Sequence, residues 1–287
     1  MEDIWTIQKI LSWTKDYFRK QQVPEARLSA ELLLAHILEL KRVDLYLQFE
    51  RILTPAELTK YRNFVQRRAK FEPVQYITGE QDFMGLTFRV TRDTLIPRSE
   101  TELLVESTLK EIENVSHSHP LVLDVGTGCG AIAVSIAHLC KTCQITAIDN
   151  SEAALKTARE NADRIGTQHI EFIIADGLSF NPAGADKYHI IVANPPYISE
   201  KDYHLLHSQV RDYEPKQALL AGALGIEFYQ NFVPNVHKIL HPDGIVMMEI
   251  GYNQIDKIRT VVTQSEFNDF DFILDYQQKP RIVRIKR

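Results

Sequence analysis

The stretch "VLDVGTGCGAIAVSIA", residues 122–137, decides the fold class. A strand-like apolar run ends in Gly126, Gly128 and Gly130, and the apolar residues that follow continue at helical spacing. Glycines at such a junction let the backbone bend sharply and let a ligand approach closely. Outward from this point strand and helix patterns alternate. "LVLDVG" (121–126), "QITAID" (144–149), "IEFIIAD" (170–176), "HIIVAN" (189–194) and "GIVMMEIG" (244–251) read as strands, with helices over 130–139, 151–164 and 226–240. That alternation predicts βαβ units and a mostly parallel, doubly wound α/β sheet covered on both faces. "FDFILDYQQKPRIVRIKR" (270–287) adds two β-rich runs joined by a turn.

Upstream, no strand pattern interrupts residues 1–72, which read as a small helical bundle. "WTIQKILSWTKDYFRKQ" (5–21) places Ile7, Ile10, Leu11, Trp13, Thr14, Tyr17 and Phe18 at helical spacing. After Pro24 comes the apolar helix "EARLSAELLLAHILEL" (25–40). "TPAELTKYRNFVQRRA" (54–69) opens with Thr54, Pro55 and Glu57, a capping-box start. Arg67, Arg68 and Lys70 are expected to be a solvated helix end. Residues 73–96 suggest a hairpin linker, with Phe83, Leu86, Phe88 and Val90 around Gly85. The remainder, 97–287, forms the larger domain, opening on a helix capped by Ser99 with Glu102 three residues on.

The chain has 287 residues, of which 44% are hydrophobic and 25% charged, an ordinary soluble composition. A net charge of −5 and a pI near 6.1 give no global pull toward nucleic acid. No apolar run reaches the roughly 18 residues of a membrane span, and the first residues lack a signal peptide's basic start and apolar core, so a cytoplasmic address is expected. Cys140 and Cys143 form a lone CxxC without a second ligand pair. It reads as a plain helix-to-strand turn, and no metal is expected. His117 and His119 read as solvated loop residues.

The glycine loop also satisfies the dinucleotide fingerprint, with Ala131 in place of its third glycine. Asp149, beside Asn150 at the end of the next strand, suits a ribose hydroxyl pair in either case. Asp124 favours one ligand: a carboxylate before the loop repels a pyrophosphate but welcomes the amine and sulfonium of S-adenosylmethionine. Asp176, followed by Gly177, is placed for an adenine amino group. The donor site expected thus comprises Asp124, Gly126, Thr127, Gly128, Cys129, Gly130, Asp149, Asn150, Asp176, Gly177 and Asn194, with S-adenosyl-L-homocysteine as product.

A second feature stands at another strand end, in "IIVANPPYIS" (190–199). Pro195 and Pro196 carry carbonyls but no N–H. The Asn194 side-chain oxygen and a proline carbonyl therefore offer two acceptors to a group with two N–H donors. Tyr197 can cover the flat face of such a group. Asn194, Pro195, Pro196 and Tyr197 are the candidate catalytic and substrate-binding residues of an amino-group N-methyltransferase. Adenine, cytosine and glutamine nitrogens are all admissible acceptors.

Taken together, "LIPRSETELL" (95–104), "LDVGTGCGAIA" (123–133), "VANPPYI" (192–198), "YEPKQALLAGALGIEFY" (213–229) and "MEIGYNQ" (248–254) resemble the release-factor glutamine methyltransferase family (HemK/PrmC). The resemblance implies a seven-stranded, Rossmann-like methyltransferase sheet behind a helical substrate-recognition domain. It implies methylation of the glutamine in the Gly-Gly-Gln motif of peptide chain release factors, modulating translation termination. Separately, a monomer with no requirement for nucleic acid is expected. It also implies that Pro97 to Glu102 closes over the donor pocket. An RNA or DNA amino-methyltransferase is the alternative. The sequence departs from the family in having Gly177 where a Trp often follows the acidic residue, which leaves adenine stacking to a neighbour such as Leu178. It also has "IPRSETE" for "IPRPDTE", and no glycine between Asp275 and Arg281. Arg284, Lys286 and Arg287 read as an exposed last strand.

Overall fold

The computed structural model describes residues 4–182 and 187–287. The chain forms two compact units: residues up to Glu80 together with His207–Tyr213, and Gln81–Leu206 together with Glu214–Arg287.

The first unit is helical: α1 (Ile7–Lys20), α2 (Ala26–Leu38), α3 (Arg42–Leu47), α4 (Pro55–Arg68) and α5 (Val74–Thr78). Ile7, Ile10, Thr14 and Phe18 form the buried face of α1, while Trp13 is half exposed and stacks on Tyr17. The capping box at α4 forms as expected: Thr54 Oγ1 accepts from the Glu57 amide, and Glu57 accepts from the Thr54 amide. Of the basic cluster at the end of α4, Lys70 is exposed as expected, but Arg68 is not solvated. Arg68 is buried and donates to Ser29 Oγ and to the Glu72 and Pro24 carbonyls, and its burial lowers its pKa to about 10. Arg67 makes a bidentate pair with Glu72. A buried guanidinium needs its donors satisfied, and the carbonyls left over at the helix ends provide the acceptors. His207–Tyr213 returns to this unit, where Tyr213 Oη donates to the Lys70 carbonyl at 2.7 Å.

A hairpin follows, of β1 (Glu80–Phe83) and β2 (Leu86–Arg89). Its turn residues Met84 and Gly85 both take left-handed φ, the type I′ geometry that matches strand twist. The second unit continues as α6 (Ser99–Asn114), β3 (Leu121–Val125), α7 (Ala131–Leu139), β4 (Gln144–Asp149), α8 (Glu152–Ile165), β5 (Ile170–Ile174), β6 (Tyr188–Ala193), β7 (Ile198–Ser199) and α9 (Glu200–Tyr203). The short α10 (Ser208–Arg211) lies in the segment that belongs to the first unit. Then come α11 (Lys216–Leu219), β8 (Leu220–Gly222), α12 (Glu227–Phe232), β9 (Leu240–Glu249), α13 (Ile255–Thr263), β10 (Asp269–Leu274) and β11 (Pro280–Lys286).

The seven-stranded, doubly wound sheet has the order β10-β11-β9-β6-β3-β4-β5. β9, β6, β3, β4 and β5 pair in parallel, and β11 runs antiparallel to both its neighbours. The central strands are nearly continuous apolar runs because helices cover both faces. The order reverses beside β3, so the carboxyl ends of β3 and β6 diverge at a topological switch point, where open α/β sheets bind ligands.

Several expectations need correction. The helix expected over 226–240 breaks after Phe232, because Pro234 has no N–H to donate; the chain resumes only as a 3₁₀ turn, Val236–Lys238. Ser99 is the first residue of α6 rather than its cap: Arg98 is the cap, and Glu102 turns to accept from the Met84 amide of the hairpin at 2.7 Å. Cys140 and Cys143 are paired as a disulfide across the α7–β4 turn, whose geometry holds their Cα atoms 5.7 Å apart. β11 lies inside the sheet, not at an exposed edge. Arg284 is ion-paired with Asp271 and Glu111, and Arg287 donates to the His237 and Leu240 carbonyls.

Candidate active site

The carboxyl ends of the parallel strands surround a cavity of about 280 Å³ within the second unit. Its donor-side wall comes from the β3–α7 loop. Gly126, Gly128 and Gly130 all take left-handed φ, and this turns the loop under the mouth of the sheet. The loop is held from both sides. Asn161, fully buried on α8, donates to the Cys129 carbonyl and exchanges hydrogen bonds with the Arg89 backbone. Asp149 accepts from the Gly128 and Ser151 amides, each at 2.9 Å. Burial raises the Asp149 carboxyl above its ordinary pKa, and these amide donors oppose the shift.

Of the residues expected to hold the donor, Gly126, Thr127, Gly128, Cys129, Asp149, Asn150, Asp176, Gly177 and Asn194 all line the cavity, and Leu178 joins them. Asp124 and Gly130 stand behind it. Asp124 is fully buried, with Oδ2 accepting from Thr127 Oγ1 at 2.7 Å and from the Ala133 amide at 3.2 Å, while Oδ1 has no hydrogen-bond partner among the described residues. Burial pushes its carboxyl up to about 7. It therefore acts on the cavity as a charge beneath the loop rather than as a wall. A cation bound above would favour its ionised form. Gly177 is required sterically, since a Cβ there would lie 2.4 Å from Val125 Cγ1. The Asp176–Leu178 turn thus presses onto the end of β3, and Val125 and the half-exposed Leu178 form an apolar shelf. Carboxylates at two strand ends, a third beneath the loop and this shelf fit the ribose, the cationic groups and the adenine of S-adenosylmethionine.

The side of the cavity expected to face the acceptor is lined by Asn194, Pro195 and Pro196 after β6. Asn194 Nδ2 donates to Thr101 Oγ1 at 3.0 Å, and that hydroxyl donates to Glu249 Oε2 at 2.7 Å. Asn194 Oδ1 carries no donor among the described residues. Tyr197 does not line the cavity: its ring packs against the core, and its hydroxyl lies 3.4 Å from Glu249 Oε1. Gln254 Nε2 bridges the Tyr197 and Gly225 carbonyls at 2.9 Å each and so anchors the loop. Pro97, Arg98 and Thr101 also line the cavity, from α6 and the strap before it. Buried Glu214 holds that strap by accepting from Arg98 and from the Ile96 amide.

Glu249, Gln254 and Glu214 have no role in the sequence reading, and Thr101 enters it only as part of the Pro97 to Glu102 segment. For Glu249 a signal existed: a polar side chain ends the apolar run "GIVMME", just as Asp149 and Asn194 end theirs.

The sequence and the fold have counterparts among known proteins. The PrmC N-terminal domain family matches residues 9–79, and the Methyltransferase small domain family matches residues 99–214. A release factor glutamine methyltransferase from Geobacter sulfurreducens is 41% identical, the match covering 93% of this chain and 92% of that protein. One from Chlorobaculum tepidum is 39% identical over 98% of this chain and 97% of that protein. This chain belongs to the release factor glutamine methyltransferase family. Among solved structures, the hMettl16 catalytic domain in complex with a 3'UTR hairpin superposes with a TM-score of 0.57 at 13% identity, covering 82% of this chain and 83% of that one. That likeness concerns the methyltransferase fold alone. The family methylates protein, which disfavours the nucleic-acid alternative. No helix among the described residues is long and apolar enough to cross a membrane.

Proposed function

We propose that this protein transfers the methyl group of S-adenosylmethionine to the side-chain amide nitrogen of a release-factor glutamine, the one in its Gly-Gly-Gln motif. The observation that carries this reading is the orientation of Asn194. Its NH₂ end is committed to Thr101, which leaves Oδ1 without a donor among the described residues, on a residue that lines the cavity.

S-adenosylmethionine, when bound, supplies an electrophilic methyl on a sulfonium. The glycine loop, Asp149 and Asp176 would hold it, and Leu178 would pack on its base. Asn194 Oδ1 and the Pro195 carbonyl would accept the two N–H groups of the glutamine amide. An amide nitrogen is a poor nucleophile because its lone pair is delocalised. Two fixed acceptors orient it for in-line attack and stabilise the positive charge that grows on it. The methylated nitrogen is then acidic enough to lose a proton without a dedicated base. We assign recognition of the release factor to the N-terminal helical unit.

The test uses purified release factor, S-adenosylmethionine and this protein, without nucleic acid, read by mass spectrometry of the peptide containing Gly-Gly-Gln. One methyl group on the glutamine amide is expected, with none on a factor whose glutamine is replaced. Methyl retained on that variant, or transfer only to RNA or DNA, would overturn the reading.

A further inference from the structure

We propose that Glu249, acting through the Thr101 hydroxyl, is a positioning residue that sets which end of the Asn194 side-chain amide faces the acceptor. The inference rests on the reading of Asn194 as the group that holds the glutamine amide.

The two ends of an asparagine amide are nearly equal in size and opposite in hydrogen-bonding sense. Turned the wrong way, Asn194 would present N–H groups to the N–H groups of its substrate. The chain of bonds prevents this by counting protons. Thr101 has one hydroxyl proton, and it goes to Glu249 Oε2. Its oxygen can then only accept, so the NH₂ end of Asn194 turns to it and Oδ1 stays toward the cavity. The parts are held in register, since β6 pairs with β9 up to Ala193 opposite Met248, one residue before each end of the relay. Glu249 is 1% exposed, its Oε1 faces the Tyr197 hydroxyl, and its backbone carbonyl accepts from Tyr229 Oη at 2.6 Å.

The device depends on Glu249 being ionised. Burial raises its carboxyl to about 7, aided by Glu100 on α6 and opposed by Thr101, Tyr197 and Arg281 on β11. Once protonated, the acid can donate to Thr101, whose own proton is then released toward Asn194, and the preferred amide orientation reverses. The methyl-transfer step, measured at saturating donor, should therefore slow as pH falls through about 7, while any change in donor affinity over the same range belongs to Asp124 beneath the loop.

The experiment is single-turnover methylation of purified release factor by the full chain across about two pH units on either side of neutrality. Binding of S-adenosylhomocysteine is measured in parallel by calorimetry. Wild type should show an acidic limb in rate at saturating donor, separable from any limb that Asp124 gives to binding. Thr101→Val should transfer methyl roughly 10- to 100-fold more slowly with little change in S-adenosylhomocysteine affinity, the range a lost charge-linked hydrogen bond implies. Thr101→Ser should restore the rate. Glu249→Gln should lose the acidic limb, with a smaller drop in rate. Thr101→Val as fast as wild type, Thr101→Ser as slow as Thr101→Val, or an acidic limb that persists in Glu249→Gln would overturn the inference. If Glu249→Gln fails to fold, the near-isosteric Thr101 pair decides alone. A wild-type protein that leaves the factor unmethylated instead sinks the functional reading, and this inference with it.

Discussion

The two ends of the cavity are built differently. At the donor end each group comes from one βα junction and is held largely by nearby backbone: Asp149 fixes the amide two residues on and the loop of the preceding unit. At the acceptor end Asn194 depends on Thr101, 93 positions away, and Thr101 depends on Glu249, 148 positions away. Local backbone geometry makes a shape that binds. The long-range chain of side chains sets the sense of a single amide. Substitutions should therefore separate the two ends, costing affinity at one and turnover at the other.

The largest separation is expected for Asn194→Ala. It removes an acceptor aimed at charge that develops only during transfer, so kcat should fall by about 10²–10³-fold, the usual cost of losing one such group. S-adenosylhomocysteine binding should change little. Equal loss of turnover and of binding, by rapid-quench kinetics and calorimetry, would erase the distinction between the ends. Asp149→Ala should do the converse. It frees the Gly128 and Ser151 amides and removes the ribose acceptor, so donor affinity should drop roughly 10- to 100-fold, with a smaller effect on saturated turnover. Gly177→Ala is the subtler donor-end test. Its methyl must displace Val125, a stiff, buried β-branched residue, at a cost of about 1–3 kcal/mol. The cost should show as weaker donor binding or lower Tm, with the pH dependence of transfer intact.

The same contrast explains what was legible in the sequence. The sheet, the glycine loop, Asp149, Asp176 and the Asn194 segment follow from patterns a few residues long, and the structure brings their cavity-lining members together. Patterns of that length miss partners chosen by tertiary contact. Glu102 looked like a cap partner, but the hairpin amide of Met84 competed for it. Arg68 looked solvated because its acceptors, Ser29 and Pro24, lie far away in sequence. Tyr197 looked like a wall for the substrate, yet Glu249 and the core draw its ring away from the cavity. The break at Pro234 is the exception, since the proline was visible and its missing N–H outweighs the helical spacing around it.

The smallest expected effect lies at the opposite end of the strands. His189, at the start of β6, accepts from the Leu121 amide through Nδ1 at 3.0 Å and packs between His117 and His241, at ring distances of 4.6 and 4.8 Å. Burial, and then the two neighbouring imidazoles, hold it below its ordinary pKa. The unfolded chain takes up that proton near 6.5. The contribution of His189 to stability is thus fully present above about 6.5 and is lost as pH falls through the lower folded value. Asp124 and Glu249 act in the opposite sense: raised to about 7, they favour the folded state more as pH falls from there toward the usual carboxylate range. The pH dependence of the wild-type Tm therefore mixes both signs and tests neither. The difference between wild type and His189→Gln isolates the histidine, because the glutamine amide oxygen can still accept from Leu121 but takes no proton. That difference should be flat above neutrality and move against wild type on acidification below about 6.5, with S-adenosylhomocysteine affinity unchanged at every pH. A flat difference throughout would mean that the stacked histidines hold β6 without sensing pH. A change in donor affinity would mean that the amino end of β6 is coupled to the donor end.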